Sequence, residues 1–210
     1  MPRGYWLPQI DVSDAEGYKA YMAATPPAHE KYHGTALVRG GRSEVVEGSA
    51  RGRCVVREFP DYESALACYR SDEYQRARPL RLEHAQCDFV IAEGYDGPQP
   101  AVSPLAPKPA AKKGYWLYQV DIGDAEGYGA YVAASQPLMG KYGARYLVRG
   151  GNREVTEGRG RARIIVVEFP SYEMALAAYR SGEYRAVKTM RDGKGTVDLV
   201  IVEGYDGPKF

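Results

Sequence analysis

Charge of one sign is missing from this 210-residue chain: 28 Lys and Arg stand against 27 Asp and Glu, for a formal net charge of +1. Near-neutrality gives no electrostatic footprint for nucleic acid or an anionic membrane, so neither is expected as a partner. Long apolar runs are also missing, and no stretch of 18 or more such residues is available to span a bilayer. The opening segment carries Trp6, Pro8 and Gln9 where a secretory leader needs an unbroken apolar core. Cysteine is scarce and odd in number: Cys54, Cys68 and Cys87 lie in the first half with no metal-like spacing. That pattern predicts reduced, buried thiols in a cytoplasmic protein rather than a disulfide framework.

What is present is a repeat. Gly4-Tyr5-Trp6-Leu7 returns as Gly114-Tyr115-Trp116-Leu117, and Glu93-Gly94-Tyr95-Asp96-Gly97-Pro98 as Glu203-Gly204-Tyr205-Asp206-Gly207-Pro208. The offset of 110 holds without a gap, and a little over half of the paired positions are identical. This predicts two copies of one small domain, at 1–98 and 114–210, joined by a Pro/Ala/Lys linker over 99–113. Proline at the linker's density favours an extended, semi-rigid spacer able to let the copies pack face to face. Charge does not gather in either copy: residues 1–97 sum to −3, 98–113 to +3 and 114–210 to +1.

Within each copy the pattern reads strand, helix, strand, strand, helix, strand. Tyr5–Val12 is rich in aromatic and branched residues, and Ser13-Asp14-Ala15-Glu16 matches a capping box with Ser13 at the cap. Tyr18, Tyr21 and Met22 then fall at helical spacing, as do Tyr62, Ala65, Leu66 and Tyr69 behind a cap at Asp61 or Ser171. Thr35–Gly40, Arg53–Phe59 and Asp88–Tyr95 read as strands, and 43–47 as a short additional one. Two helices and four main strands in this order suit an α+β, ferredoxin-like βαββαβ sandwich with both helices on one face of an antiparallel sheet.

Strand parity sorts the two faces. The purer sets, Trp6 with Ile10, Val55 with Phe59 and Val90 with Ala92, are assigned to the helices. The helix-free face then mixes Leu7, Leu37, Val56 and Ile91 with Gln9, Arg39, Glu58 and Glu93. Stacking this face on its counterpart would bury both, giving an internal pseudo-dimer with a closed, partly polar interior and leaving further homo-oligomerisation open.

The ordered motifs Gly-Tyr-Trp, Leu-Val-Arg-Gly-Gly, Glu-Phe-Pro and Glu-Gly-Tyr-Asp-Gly, present in both copies over 4–98 and 114–208, resemble the domain of unknown function 1330 family. The resemblance implies a dimeric α/β barrel, a fold class that includes small oxygenases, isomerases and haem-handling proteins. It implies no activity, since that family has none established. It also implies a central first strand, with Pro8 in its middle where the second copy has Tyr118. A bulge that leaves Pro8 facing an unpaired position is the expectation.

Candidate chemistry follows from the mixed face. Glu58, Glu93, Glu168 and Glu203 are candidate general bases. Tyr5, Gln9, Arg39 and Tyr95, with Tyr115, Gln119, Arg149 and Tyr205, are candidate ligand-binding residues for a small polar or aromatic metabolite held in the barrel interior. The alternative is an interaction or assembly module in which each glutamate pairs with an arginine across the interface. An enclosed volume of about 300 Å³ or more, lined by Tyr5, Glu58 and Glu93, favours the first, and filled space the second. His29, His33 and His84 have no counterparts in the second copy, where Met139, Gly143 and Lys194 stand. This excludes two equivalent His-dependent sites, leaves one asymmetric site open, and favours the surface for each of the three. No cofactor or metal is indicated.

Overall fold

The computed structural model describes residues 1–104, 106, 108, 110 and 112–208. The first copy runs β1 (Gly4–Val12), α1 (Ala15–Ala24), α2 (Pro26–Lys31), β2 (Thr35–Arg39), β3 (Ser43–Glu47), β4 (Arg53–Phe59), α3 (Tyr62–Arg70), α4 (Asp72–Ala77), α5 (Pro79–Leu82) and β5 (Ala85–Glu93). The second runs β6 (Gly114–Ile122), α6 (Ala125–Lys141), β7 (Arg145–Arg149), β8 (Arg153–Glu157), β9 (Arg163–Phe169), α7 (Tyr172–Arg180), α8 (Gly182–Lys188), a short 3₁₀ turn and β10 (Gly195–Glu203).

The two ferredoxin-like units pack sheet to sheet as an intramolecular α/β barrel, and they are interlocked. The sheets are ordered β2-β4-β1-β5-β8 and β3-β10-β6-β9-β7, so each copy lends its short strand to the other's sheet. In β8, Val155 lies opposite Val90 and Glu154 opposite Ile91, while in β3 Val45 lies opposite Val200. The loops that carry these strands across turn at Gly48 and Gly158, with φ of +61° and +63°. A Cβ there would stand 2.1 Å from an Oδ1 of Asp198 or Asp88, which instead accepts the following amide, Ser49 or Arg159, at 2.9 Å. Glycine is needed twice over, for the positive φ and for the close approach.

Between the sheets lies a core of small and branched side chains from both copies, including Leu7, Val38, Cys54, Val56, Val90 and Ala92 with Leu117, Val148, Ile164 and Val200. Under the helices of the first copy lie the larger ones, Trp6, Phe59, Phe89 and Ile91. The assignment of Val90 and Ala92 to the helix side is therefore reversed. Bulky rings fill the deep space beneath helices, while valine and alanine let two sheets approach closely.

Two local expectations are also corrected. The cap of α1 is Asp14, whose Oδ1 accepts from the amides of Glu16 and Gly17 at 3.0 and 3.2 Å, and Asp124 caps α6 by accepting from the Gly127 amide at 3.0 Å. Ser13 instead donates its hydroxyl to the His84 carbonyl at 2.9 Å. At Pro8 there is no bulge. The β1–β5 register runs unbroken through Pro8↔Phe89, and on the β4 side it keeps step from Trp6↔Arg57 to Gln9↔Cys54 with the Leu7 and Pro8 rungs missing. Tyr118, which has an N–H, keeps its rung with Ile165.

Several described linker residues bond to the second copy. Gln99 brackets the backbone of Tyr146, donating to its carbonyl at 3.0 Å and accepting from its amide at 2.8 Å. The amides of Ser103 and Ala110 donate to the carbonyls of Gly140 and Pro170.

Candidate functional site

The twelve candidate residues do not converge on one chamber. Tyr5 and Glu58 meet at one mouth of the barrel, the phenol donating to Glu58 Oε2 at 2.7 Å, and Tyr115 donates to Glu168 Oε2 at 3.2 Å. Both glutamates have cationic company: Arg3 lies 4.0 Å from Glu58, and Lys113 lies 2.8 Å and Arg145 3.7 Å from Glu168. Burial, then the neighbouring carboxylate, raises both phenol pKa values. A recess of about 280 Å³ opens beside Tyr5 and Glu58, with Tyr95 but without Glu93.

Gln9 and Gln119 line a wider recess of about 560 Å³ at the opposite mouth. Their Oε1 atoms accept from the amides of Arg51 and Arg161 at 3.3 and 3.1 Å. Each of these arginines is held by two aspartates, Asp11 with Asp88 and Asp121 with Asp198. Between the mouths the seam is filled by the apolar core.

Glu93 and Glu203 leave the seam altogether. They follow the parity of Ile91 and Ile201 and bind across the strand exchange, Glu93 to the Asn152 amide and side chain at 3.1 and 2.9 Å, and Glu203 to Arg42 at 2.8 Å.

Arg39 and Arg149 also leave it. A register shift between Ala36 and Val38, repeated between Tyr146 and Val148, turns the end of each strand over, so that Arg39 and Arg149 pair with Val55 and Ile165 on the helix side. There each guanidinium stacks on a tyrosine from the other copy, Arg39 5.7 Å from the Tyr205 ring and Arg149 5.5 Å from Tyr95, and Arg149 also lies 4.6 Å from Tyr146 of its own strand.

These arginines mark two equivalent clefts between helices and sheet, which parity alone could not reveal. In the first copy β1 and β4 supply a floor of Trp6, Pro8, Ile10, Arg53, Val55 and Arg57, and Arg39 stands at the side. Tyr18, Tyr21 and Met22 of α1 roof it, with Thr25 and His29, over a volume of about 60 Å³. No Asp or Glu is among the described lining residues. Arg57 is 5% exposed and donates to the Gly34 carbonyl at 2.6 Å. Burial and then Arg39 lower its pKa to about 10. Arg53 donates from Nη2 to the Arg39 carbonyl at 3.1 Å, while its Nε is shut off from solvent with no acceptor.

His29, expected on the surface, is 7% exposed and packs edge-on against Trp6 at 5.6 Å. Burial, then Arg57 and Arg39, push its pKa down to about 2, so the ring is neutral at physiological pH. The second cleft, about 50 Å³, has Trp116 in its floor and Arg149 and Arg163 in its lining. Met139 replaces His29, Tyr118 replaces Pro8 and Val167 replaces Arg57. Besides its two arginines it carries paired phenols, with Tyr118 and Tyr128 hydroxyls 2.7 Å apart and Tyr131 and Tyr184 hydroxyls 2.9 Å apart. Among the described residues no group of three or more His, Cys, Asp and Glu side chains could hold a metal ion, and no helix is long and apolar enough to cross a membrane.

Comparison with solved structures places the fold. An anthrone oxidase-like protein superposes over 100% of this chain and 96% of its own, with 12% identity and a TM-score of 0.52. A Fusobacterium nucleatum protein bearing a provisional monooxygenase name covers 100% and 97%, at 11% identity and a TM-score of 0.52. A variant chlorite dismutase from Candidatus Nitrospira defluvii covers 94% and 91%, at 12% identity and a TM-score of 0.48. At such identities the likeness to the first two is one of fold alone. No curated protein matches the sequence. The model of the domain of unknown function DUF1330 matches residues 3–95 and again 113–205, and the chain therefore belongs to the DUF1330 family, whose domain it carries twice.

Proposed function

We propose that this protein is a small-molecule-binding barrel whose ligands lodge between helices and sheet rather than between the two sheets. The observation that carries this reading is the first cleft: an aromatic floor and three arginines, with no Asp or Glu among the described lining residues, in a space that packing has left open. Interiors of this size normally close over such voids or fill them with water. The Arg53 Nε, shut off from solvent with no acceptor, is a donor that a ligand can satisfy.

The groups present bind and orient. Indole and phenol rings sandwich a planar molecule, and guanidinium forks hold its polar edge. An organic ring needs more than 60 Å³, so the roof must yield. It has a joint, since α1 ends at Ala24 and α2 starts at Pro26, whereas α6 runs through the same position. Proline at 26 lacks the N–H that would continue the helical ladder, and the Thr25 hydroxyl donates instead to the Met22 carbonyl at 3.3 Å.

The assembly reading is kept for the seam itself, whose apolar filling and paired Glu58 and Glu168 suit an interface.

Trp6 and Trp116 are the chain's two tryptophans, one in each cleft floor, so intrinsic fluorescence reads occupancy directly. Titration with small aromatic compounds is expected to change emission saturably, with Trp6→Phe and Trp116→Phe separating the clefts. Emission that stays constant while a compound binds by another measure places the ligand elsewhere and overturns the proposal.

A further inference from the structure

The recess at the Gln9 mouth belongs to neither cleft, and its hydrogen bonds give it a chemistry of its own. We infer that it is a second binding site, for a small aliphatic hydroxycarboxylate: one negative charge and several oxygens that accept. This goes beyond the cleft reading and does not depend on it.

Every carboxylate oxygen among the described lining residues is already engaged. Asp88 accepts from Arg51 Nε at 2.7 Å on one oxygen and from the Arg159 amide at 2.9 Å on the other. Asp198 accepts from the Ser49 amide at 2.9 Å and from Arg161 Nε at 2.5 Å. Asp121 accepts from the Ala162 amide at 2.7 Å and from Arg161 Nη1 at 2.9 Å. A cationic ligand therefore meets carboxylates whose charge guanidinium groups already answer.

The donors are in the opposite condition. Gln9 is 8% exposed and its Oε1 is taken by the Arg51 amide, which leaves its Nε2 without an acceptor among the described residues. Gln119, its counterpart in the second copy, is held in the same way by the Arg161 amide, and Arg161 Nη2 is open too. Arg159 adds a guanidinium with neither an ion pair nor a side-chain hydrogen bond among the described residues, where the first copy has Ser49. None of these nitrogens is sealed from solvent, so they open on the recess that their residues line. Open donors around about 560 Å³ call for acceptors. A single unpartnered guanidinium calls for a single negative charge, and the second charge of a phosphate monoester would find no free cation in the lining. A hydroxycarboxylate sets its carboxylate on a guanidinium fork and its hydroxyl oxygens on the two side-chain amides.

The test is calorimetric titration of the full chain at pH 7 and low salt with gluconate, sorbitol and acetate, which offer charge and hydroxyls together, hydroxyls alone and charge alone. Gluconate is expected to bind with one equivalent, and the other two at least about tenfold more weakly, since each lacks one kind of acceptor. Arg159→Ser, which copies the first repeat on an exposed loop, is expected to weaken gluconate about tenfold. Gln9→Glu keeps the acceptor for the Arg51 amide while replacing the donor by a repelling charge, and is expected to weaken gluconate at least as much. Circular dichroism checks that both variants are folded. Equal affinity for gluconate and sorbitol overturns the charge preference. Full affinity in both variants puts the ligand elsewhere and overturns the site, as does a wild type that does not bind gluconate. None of these outcomes bears on the clefts, which the tryptophan titration with aromatic compounds reads separately.

Discussion

Arg81, 1% exposed under the helices of the first copy, is closed by Glu157, a carboxylate that arrives on β8 from the second. Glu157 also accepts from the Tyr69 hydroxyl at 2.9 Å and from Arg78 at 3.1 Å. The arrangement is reciprocated: Glu47 on β3 reaches Arg191 in the second copy at 2.5 Å, with Lys188 at 3.6 Å. The exchanged strands are thus latched at their ends by buried charge as well as by sheet hydrogen bonds. Burial by itself would raise the Glu157 pKa, yet bonds from Arg78, Arg81 and Tyr69 hold it below the ordinary carboxylate value.

Breaking one latch leaves an uncompensated buried guanidinium. Glu157→Gln is expected to cost about 3 kcal/mol of unfolding free energy in denaturant melts, with Arg81→Met/Glu157→Met recovering much of it, because removing both charges abolishes the orphan. A loss below about 1 kcal/mol for the single variant contradicts a latch.

An isolated first repeat should rebuild the barrel with itself. Residues 1–98 contain both halves of each exchange contact, Glu47 with Arg81 and Glu44 with Arg70, in place of the observed Glu157–Arg81 and Glu154–Arg70 pairs. Light scattering on that fragment is expected to give the mass of a dimer. A folded monomer would show that the exchange is dispensable.

Acid sensitivity should trace to His29. Unfolded, it takes a proton near pH 6.5; folded, its pKa is about 2. Below pH 6.5 the unfolded state therefore binds the additional proton, and stability falls with pH by about 1.4 kcal/mol per unit between roughly pH 6 and 4. His29→Met, which copies Met139, is expected to lose that component of the slope in urea melts. An identical slope in both proteins refutes the assignment.

The thiols should be inert. Burial pushes Cys54, Cys68 and Cys87 up to about 12, so at pH 8 the nucleophilic thiolate is scarce. Mass spectrometry after iodoacetamide treatment is expected to show labelling only in denaturant, and rapid native labelling of any of the three counts against it.

Much of this architecture was legible in the residues. The repeat, the order of elements, the caps at Asp61 and Ser171 and the sheet-to-sheet packing follow from spacing and from the helix-free faces. The exchange did not, because 43–47 carries no mark of which sheet it joins: a short strand of two valines between glutamates fits either edge. Parity placed Tyr5, Leu7, Gln9 and Glu58 in or beside the seam. It failed at Arg39, where one bulged residue turns the strand over, and at Val90 and Ile91, where both sets are apolar and only size separates them. The arginine cleft was hidden for the same reason. Its one sequence signal was the loss of His29 and Arg57 together in the second copy, two changes that lie far apart in the chain but on one cavity.

The most direct test is a crystal structure of the full chain grown with a small aromatic compound that changes its tryptophan emission. Difference density is predicted beneath the α1–α2 joint, within about 3.5 Å of the Arg39 and Arg53 guanidinium groups. Density instead at the Gln9–Gln119 recess or beside Glu58, with the first cleft unchanged, would contradict the account.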